Sequence, residues 1–241
     1  MSAPAPIEVD LRGARVAFST RHGGVSEGPY RSLNLGVLTD DDPACVVENR
    51  RRVAAAADLA PDAVALGHQV HGAELAEWTE PPRPHGSGAP GAPLAQVDGH
   101  LTDLTGIGLL ILGADCMPVA LAAPGRVAML HCGWRGLAAG ILEAAAARFG
   151  EIPAAVLGPA IGRCCYEVGP EVLAEFERLE GVATGQMLDI RAVARRKLEA
   201  AGVTEIEDVD LCTSCREDLF FSHRRDRGVT GRQAGMVWRT S

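Results

Sequence analysis

Residues 108–136 read GLLILGADCMPVALAAPGRVAMLHCGWRG. The apolar run Gly108–Gly113 has the length and composition of a buried strand, and residues 119–122 and 127–130 read as two more, joined by a Pro124-Gly125-Arg126 turn. Polar and thiol groups stand where the runs stop: Asp115-Cys116 after the first, His131-Cys132-Gly133 after the third. Cys116 and His131 flank the 119–130 hairpin, so antiparallel pairing alone puts both at one end of a sheet.

Working outward, residues 64–70 read as a strand that runs into Gln69-Val70-His71-Gly72, with 73–79 as its continuation or partner. Strands are also predicted at 15–19, 156–158, 206–210, 220–222 and 233–238. Helices are predicted over 40–59, where Asp42 is a ready N-cap and Pro43 suits the first helical position, and over 136–149, 170–179 and 189–201. The pattern predicts an α/β (α+β) layered domain with mixed β-sheets flanked by helices. One domain is expected over 1–241, with a loose tail at 1–6 and a Pro/Gly loop at 81–93.

Composition narrows the function. The chain has 241 residues, 47% hydrophobic, which disfavours disorder and a coiled coil. Its 23 Lys and Arg against 31 Asp and Glu leave a net charge of −8, which argues against nucleic acid as partner. At 4% aromatic it lacks a stacking platform for single strands. No apolar run approaches the ~20 residues a bilayer needs, so no membrane partner is expected. The start, MSAPAPIEVD, has no basic region followed by an apolar stretch; with seven cysteines, the expectation is a reduced, cytoplasmic chain.

His71, Cys116 and His131 each sit at a strand end or just after one. Two His and one Cys make a three-ligand set for Zn²⁺ with a fourth position left open, the pattern of catalytic rather than structural zinc. The segments TRHGGVSEGPYRSLNLG (20–36), QVHG (69–72), ADCMPVAL (114–121), HCGWRG (131–136), GPAIGRCCYEVG (158–169) and FFSHRRDRGVTGRQAG (220–235), with Asn49-Arg50 between the first two, resemble those of the YfiH family, also called the purine nucleoside phosphorylase or laccase-like polyphenol oxidase family. The matches run in order across nearly the whole chain. Cys132 and His223 depart from the commoner Ala and aromatic residues. The resemblance implies zinc on His71, Cys116 and His131, with phosphorolysis of adenosine, inosine and methylthioadenosine and adenosine deamination as a second activity. It also implies a layered α/β fold similar to the catalytic domain of a bacterial necrotizing toxin.

The partners are then purine nucleosides and inorganic phosphate, and a monomer is expected. Phosphate needs a local cationic site in this acidic chain. Arg21, beside the Gly23-Gly24 backbone and Ser26, is the best offer, with Arg50 and Arg135 next. Against this, Arg50 also reads as a solvated helix residue and Arg135 as an ion-pair partner. Asn34 suits a ribose hydroxyl or a turn cap, and Gln69 the base or the fixing of His71. Asp115 suits a proton shuttle or, equally, an orienter of His71 or His131. Cys212-x-x-Cys215 looks like half of a zinc knuckle or a redox pair, but with no second CxxC a structural zinc site is not expected; the adjacent Cys164-Cys165, which suit neither a disulfide nor joint tetrahedral binding, read as packed thiols. Three rivals remain. One is a Cys–His hydrolase (an amidase acting on a peptidoglycan precursor), with Cys116 as nucleophile and His131 as base. Another is a copper polyphenol oxidase with Met117 or Met129 nearby, ranked low because the chain has seven His and no His-x-His pair. The last is a non-enzymatic interaction factor.

Overall fold

The computed structural model describes residues 5–82 and 94–240. Residues 1–4 of the expected tail and 83–93 of the expected Pro/Gly loop lie outside the described residues. Thirteen strands and five α-helices are described: β1 (Ile7–Leu11), β2 (Ala14–Phe18), α1 (Pro43–Ala56), β3 (Val64–Ala65), β4 (Leu75–Trp78), β5 (Gly99–Thr102), β6 (Gly108–Gly113), β7 (Met117–Ala123), β8 (Arg126–Cys132), α2 (Trp134–Ala138), α3 (Ile141–Ala146), β9 (Ala154–Leu157), α4 (Pro170–Ala174), β10 (Ala183–Thr184), β11 (Met187–Leu188), α5 (Ile190–Ala200), β12 (Ile206–Asp208) and β13 (Gln233–Arg239).

They form two mixed sheets, ordered β1-β2-β13-β6-β3 and β12-β9-β7-β8-β5-β4, plus the small β10-β11 pair. Side-chain alternation along the strands sorts the core into layers. Leu109 and Ile111 of β6 and Val237 of β13 face Ala120 and Ala122 of β7 and Val156 of β9 between the sheets. Leu110, Met236 and Trp238 point the other way, onto Ala54 of α1. Val119 and Leu121 point away from the sheet interface, onto Leu137, Ile141 and Leu142 of α2 and α3 and Val193 and Leu198 of α5. The order is helix, sheet, sheet, helices. Alanine on the inner faces lets the sheets approach, and glycine completes the fit. A Cβ on Gly235 would stand 2.5 Å from Pro118 Cβ, and one on Gly158 2.3 Å from Phe18.

The three apolar runs are all strands, but β6 lies in one sheet and the β7–β8 hairpin in the other. The chain changes sheet at Ala114-Asp115-Cys116, where Asp115 has φ of 94°. Pro118 pairs with His131 and Met117 with Cys132, so Cys116 and His131 do meet at one sheet end. Helix α1 begins as predicted, with Asp42 accepting from the Ala44 N–H and Pro43 in the first turn.

Four expectations are corrected. The 136–149 helix is two short ones, α2 and α3, parted at Gly140, whose φ of 85° no helix interior contains. The 170–179 helix is regular only over Pro170–Ala174. The 64–70 strand stops after Ala65, because the Gln69 side chain takes over the ladder, donating to Leu112 O (2.7 Å) and accepting from Leu112 N–H (2.8 Å). Residues 220–222 form no strand; the Gln233 amide stands in for a partner, accepting from Phe221 N–H and donating to Phe221 O.

Candidate metal centre

One ring nitrogen each from His71 and His131 and the Cys116 sulfur all lie within 4.8 Å of one another. His131 ends β8 and is buried, Cys116 precedes β7 and is partly buried, and His71 is exposed, so the cluster opens to solvent on the His71 side. The two imidazoles meet edge to face, centroids 4.9 Å apart. His71 and Asp115 both hold positive φ (63° and 94°), a conformation non-glycine residues adopt at a cost where surrounding structure enforces it. Gly133 leaves the needed room, since a Cβ there would be 2.9 Å from Cys116 Sγ and 3.4 Å from His71 Cδ2.

The residue that holds this together is Asp98, just before β5. Its Oδ1 accepts from His131 Nδ1 (2.8 Å) and from His71 N–H (2.9 Å), and its Oδ2 from Val70 and Gly72 N–H (3.1 and 2.7 Å). The carboxylate therefore fixes the His131 tautomer, leaving Nε2 for a metal, and fixes the backbone that presents His71. Burial pushes Asp98 up, but these donors outweigh it and hold it below the usual carboxylate range.

The electrostatics are those of a thiolate held beside an imidazolium, whose proton a metal would displace. Burial pushes the Cys116 thiol up, yet the His131 charge and hydrogen bonds from His131 and His71 win and hold it at about 6. Burial pushes His131 down, and the Cys116 thiolate with Asp98 carries it up to about 9. Cys132, one residue on, is pushed up by burial and then by Cys116, so it stays a neutral thiol. Soft sulfur, two imidazoles and an open side fit a zinc ion; they fit mononuclear copper as well.

Residues 15–240 match the family described as multi-copper polyphenol oxidoreductase laccase. A protein named purine nucleoside phosphorylase YlmD, from Geobacillus stearothermophilus, is 38% identical, with 94% of this chain and 90% of that protein covered. The Escherichia coli protein named purine nucleoside phosphorylase YfiH is also 38% identical, with 94% of both covered. The crystal structure of YlmD from Geobacillus stearothermophilus superimposes with a TM-score of 0.89 at 37% identity, covering 96% of this chain and 93% of that one. A Bacillus licheniformis hypothetical protein YfiH gives 0.88 at 33% identity, with 94% and 93% covered. The chain belongs to the YfiH family.

In this YfiH-family chain the other singled-out residues separate into two groups. Arg21 stacks on Phe221 (4.7 Å) and donates to Arg31 O and Glu217 O; Asn34 is buried among Thr39, Asp41 and the Gly36 and Arg232 N–H groups; Arg50 donates to Leu35 O; Gln69 braces β6. These side chains knit the 20–36 segment and its neighbours together, with the buried Asn49 amide as their hub, donating to Ser26, Ser32 and Asn34. The second group is linked to Cys116 through Tyr166, Arg232 and the adjacent Asp115. Arg135 is exposed and stacked on Trp134 (4.4 Å), and Arg224 lies over Tyr166 (5.4 Å). Tyr166, pushed up to about 12 by burial and then by Cys116, also feels Asp115, Arg224 and Arg135. Arg232 feels Cys116 and Asp115. Asp115 accepts from Thr213 Oγ1 (2.6 Å) on one oxygen and from Arg224 N–H (2.7 Å) on the other.

Sequence reasoning missed Asp98, Tyr166 and Arg232 as site residues. Asp98 carries no local signature: it lies between a strand not foreseen (β5) and the Pro/Gly loop, and acts on residues 27 and 33 positions away. A cavity lies elsewhere, over the outer face of the β1-β2-β13 sheet between Thr20, Ala57 and Trp238, and no ligand of the cluster lines it. Among the described residues, no helix is long and apolar enough to cross a membrane.

Proposed function

We propose that this chain is a zinc-dependent purine nucleoside enzyme. It would catalyse phosphorolysis of adenosine, inosine and methylthioadenosine to the free base and (methylthio)ribose 1-phosphate, with adenosine deamination as a second activity. The observation that carries the reading is the open His71–Cys116–His131 cluster, with Tyr166 and Arg232 in the field of Cys116 and Arg135 and Arg224 in that of Tyr166, in a chain of net charge −8. The names of the relatives support the substrate class.

In phosphorolysis a phosphate oxygen bonds to C1′ of the ribose, the C1′–N9 bond breaks with its electrons going to the base, and the base takes up a proton. Zinc, when bound, supplies positive charge and Lewis acidity. The chain's own residues do the rest. His131 is held by Asp98 so that its free nitrogen and the Cys116 thiolate converge. Arg135 and Arg224, both exposed and in the field of Tyr166, would supply positive charge for an anion, and Tyr166 keeps its hydroxyl proton and presents a donor. Asp115, with both oxygens engaged, positions Arg224 and the Thr213 turn. Arg21, Asn34 and Arg50 would act by bracing the 20–36 segment and Gln69 by bracing β6, through the contacts described above.

One observation favours a second reading. Without a metal, Cys116 at about 6 beside His131 at about 9, with Asp98 behind it, is a thiolate–imidazolium–carboxylate row that suits a cysteine hydrolase. The two readings compete for one sulfur. The test is metal content with phosphate-dependent release of hypoxanthine from inosine. Zinc on purified protein, product formation that needs phosphate, and loss of both in Cys116→Ala are expected. A metal-free protein alkylated at Cys116 by iodoacetamide, with no phosphate-dependent base release, would overturn the zinc reading in favour of the hydrolase. Stoichiometric copper with oxidation of phenols would overturn both.

A further inference from the structure

Cys164 and Cys165, read from sequence as packed thiols, and Cys212 and Cys215, read as a CxxC pair without a second one, are not dispersed. The sulfurs of Cys164, Cys165, Cys212 and Cys215 lie within 4.8 Å of one another, with Cys164 and Cys215 exposed. Adjacent cysteines diverge on a strand, but here they sit in a tight turn, with the Cys165 and Tyr166 N–H groups both donating to Gly162 O (2.9 and 3.1 Å). The Cys212–Cys215 turn is closed by Arg216 N–H donating to Cys212 O (3.0 Å). Residues 160 and 212 meet in a parallel bridge, so the two turns face each other.

We propose that Cys164, Cys165, Cys212 and Cys215 form a second metal site, a closed tetrathiolate that takes zinc. Four sulfurs at ~2.3 Å from one ion stand about 3.8 Å apart. The Cys164–Cys215 and Cys165–Cys215 separations are both 3.4 Å, and no pair exceeds 4.8 Å. That spread suits a single ion. A disulfide, at about 2.05 Å, would have to choose between two equidistant partners for Cys215 and leave the other thiols without a role. Gly162 donates its N–H to Cys212 Sγ (3.2 Å), a bond that supports thiolate charge. A Cβ on the same glycine would press within 3.3 Å of Cys164 Sγ and of Cys212 Cβ. With every position filled by protein, such a site is structural. It would pin the 160–166 turn to the 211–216 turn, and through Thr213 hold Asp115 at the edge of the first cluster.

This inference does not rest on the proposed function. The full-length Cys116→Ala variant isolates the second site whatever the first one does. Purified reduced, it should carry one zinc, and after removal of that zinc by chelator it should bind one cobalt(II) with a strong thiolate-to-cobalt charge-transfer band. Adding Cys212→Ser and Cys215→Ser should remove both the zinc and the band. If that triple variant fails to fold, the cobalt titration of Cys116→Ala decides alone. A Cys116→Ala protein that carries no zinc and takes up cobalt without the band overturns the proposal. So does iron in place of zinc, or an intact mass two hydrogens light with Cys215 in a disulfide after preparation under reducing conditions.

Discussion

The molecule holds two sulfur-containing clusters of opposite construction. His71, Cys116 and His131 mix nitrogen with sulfur, run from the buried core to the surface, and are aimed by a carboxylate behind them. The Cys164–Cys165–Cys212–Cys215 group is all sulfur, lies in surface turns, and has a backbone amide rather than a side chain as support. Three ligands with an open side make a centre that can bind a reactant; four close it. The difference is one of location in the fold. The first cluster sits where the chain passes between two rigid sheets, so strain at His71 and Asp115 can be sustained. The second joins two irregular segments that share little other regular structure.

The sharpest way to break the comparison is Asp98→Asn. It removes the charge that holds His131 and turns one of the two acceptor oxygens into a donor, so two of the four hydrogen bonds are lost; metal affinity at the first cluster should fall about 10–100-fold while the four-cysteine site keeps its ion, and chelator competition reads both. If both sites weaken together, the clusters are not independent. Gly133→Ala pushes a methyl group to 2.9 Å from Cys116 Sγ and should cost about tenfold at the same cluster, again sparing the other, by the same titration.

Acidity separates the clusters next. In metal-free protein the low Cys116 pKa contributes stability that is lost as pH falls through about 6. The raised His131 pKa contributes stability that is lost as pH rises through about 9. The melting temperature should therefore fall on both sides of that window, and iodoacetamide labelling of Cys116 should rise through about pH 6, whereas Cys164, its thiol pushed up by burial and by neighbouring sulfurs, should label only in stronger alkali. Labelling of Cys116 that begins only near pH 9 would remove the ion pair. The smallest effect belongs to Arg135→Ala, which should raise the phosphate KM about fivefold, the equivalent of ~1 kcal/mol for an exposed charge, with kcat and both metals unchanged. An unaltered KM would take Arg135 out of the anion site.

The Cys116–His131 half of the first cluster was legible because its parts are written locally, whereas His71, from a distant segment, was tied to them by the family resemblance. An apolar run, a turn and a second apolar run fix a hairpin, and the hairpin puts Cys116 and His131 together. Asp42-Pro43 declared its helix for the same reason. What could not be read depends on contacts between distant segments. Asp98 acts through a strand that pairs in parallel with β4 and antiparallel with β8. The four cysteines come together only because two turns fold towards each other, and the tight turn at 163–165 reverses the divergence expected of neighbouring side chains. Gly140 was visible, but only its left-handed backbone says that a helix ends there.

The pairing of β5 with β8 has one more outcome. His131 N–H donates to Asp98 O (2.7 Å), so the same pair of residues is joined through backbone and side chain alike. A chain that zipped these strands one place out would turn His131 to the opposite face and put Cys132 in its place. Such a form would lack the His71–Cys116–His131 cluster altogether, so the register of this one strand pair decides whether the three side chains meet.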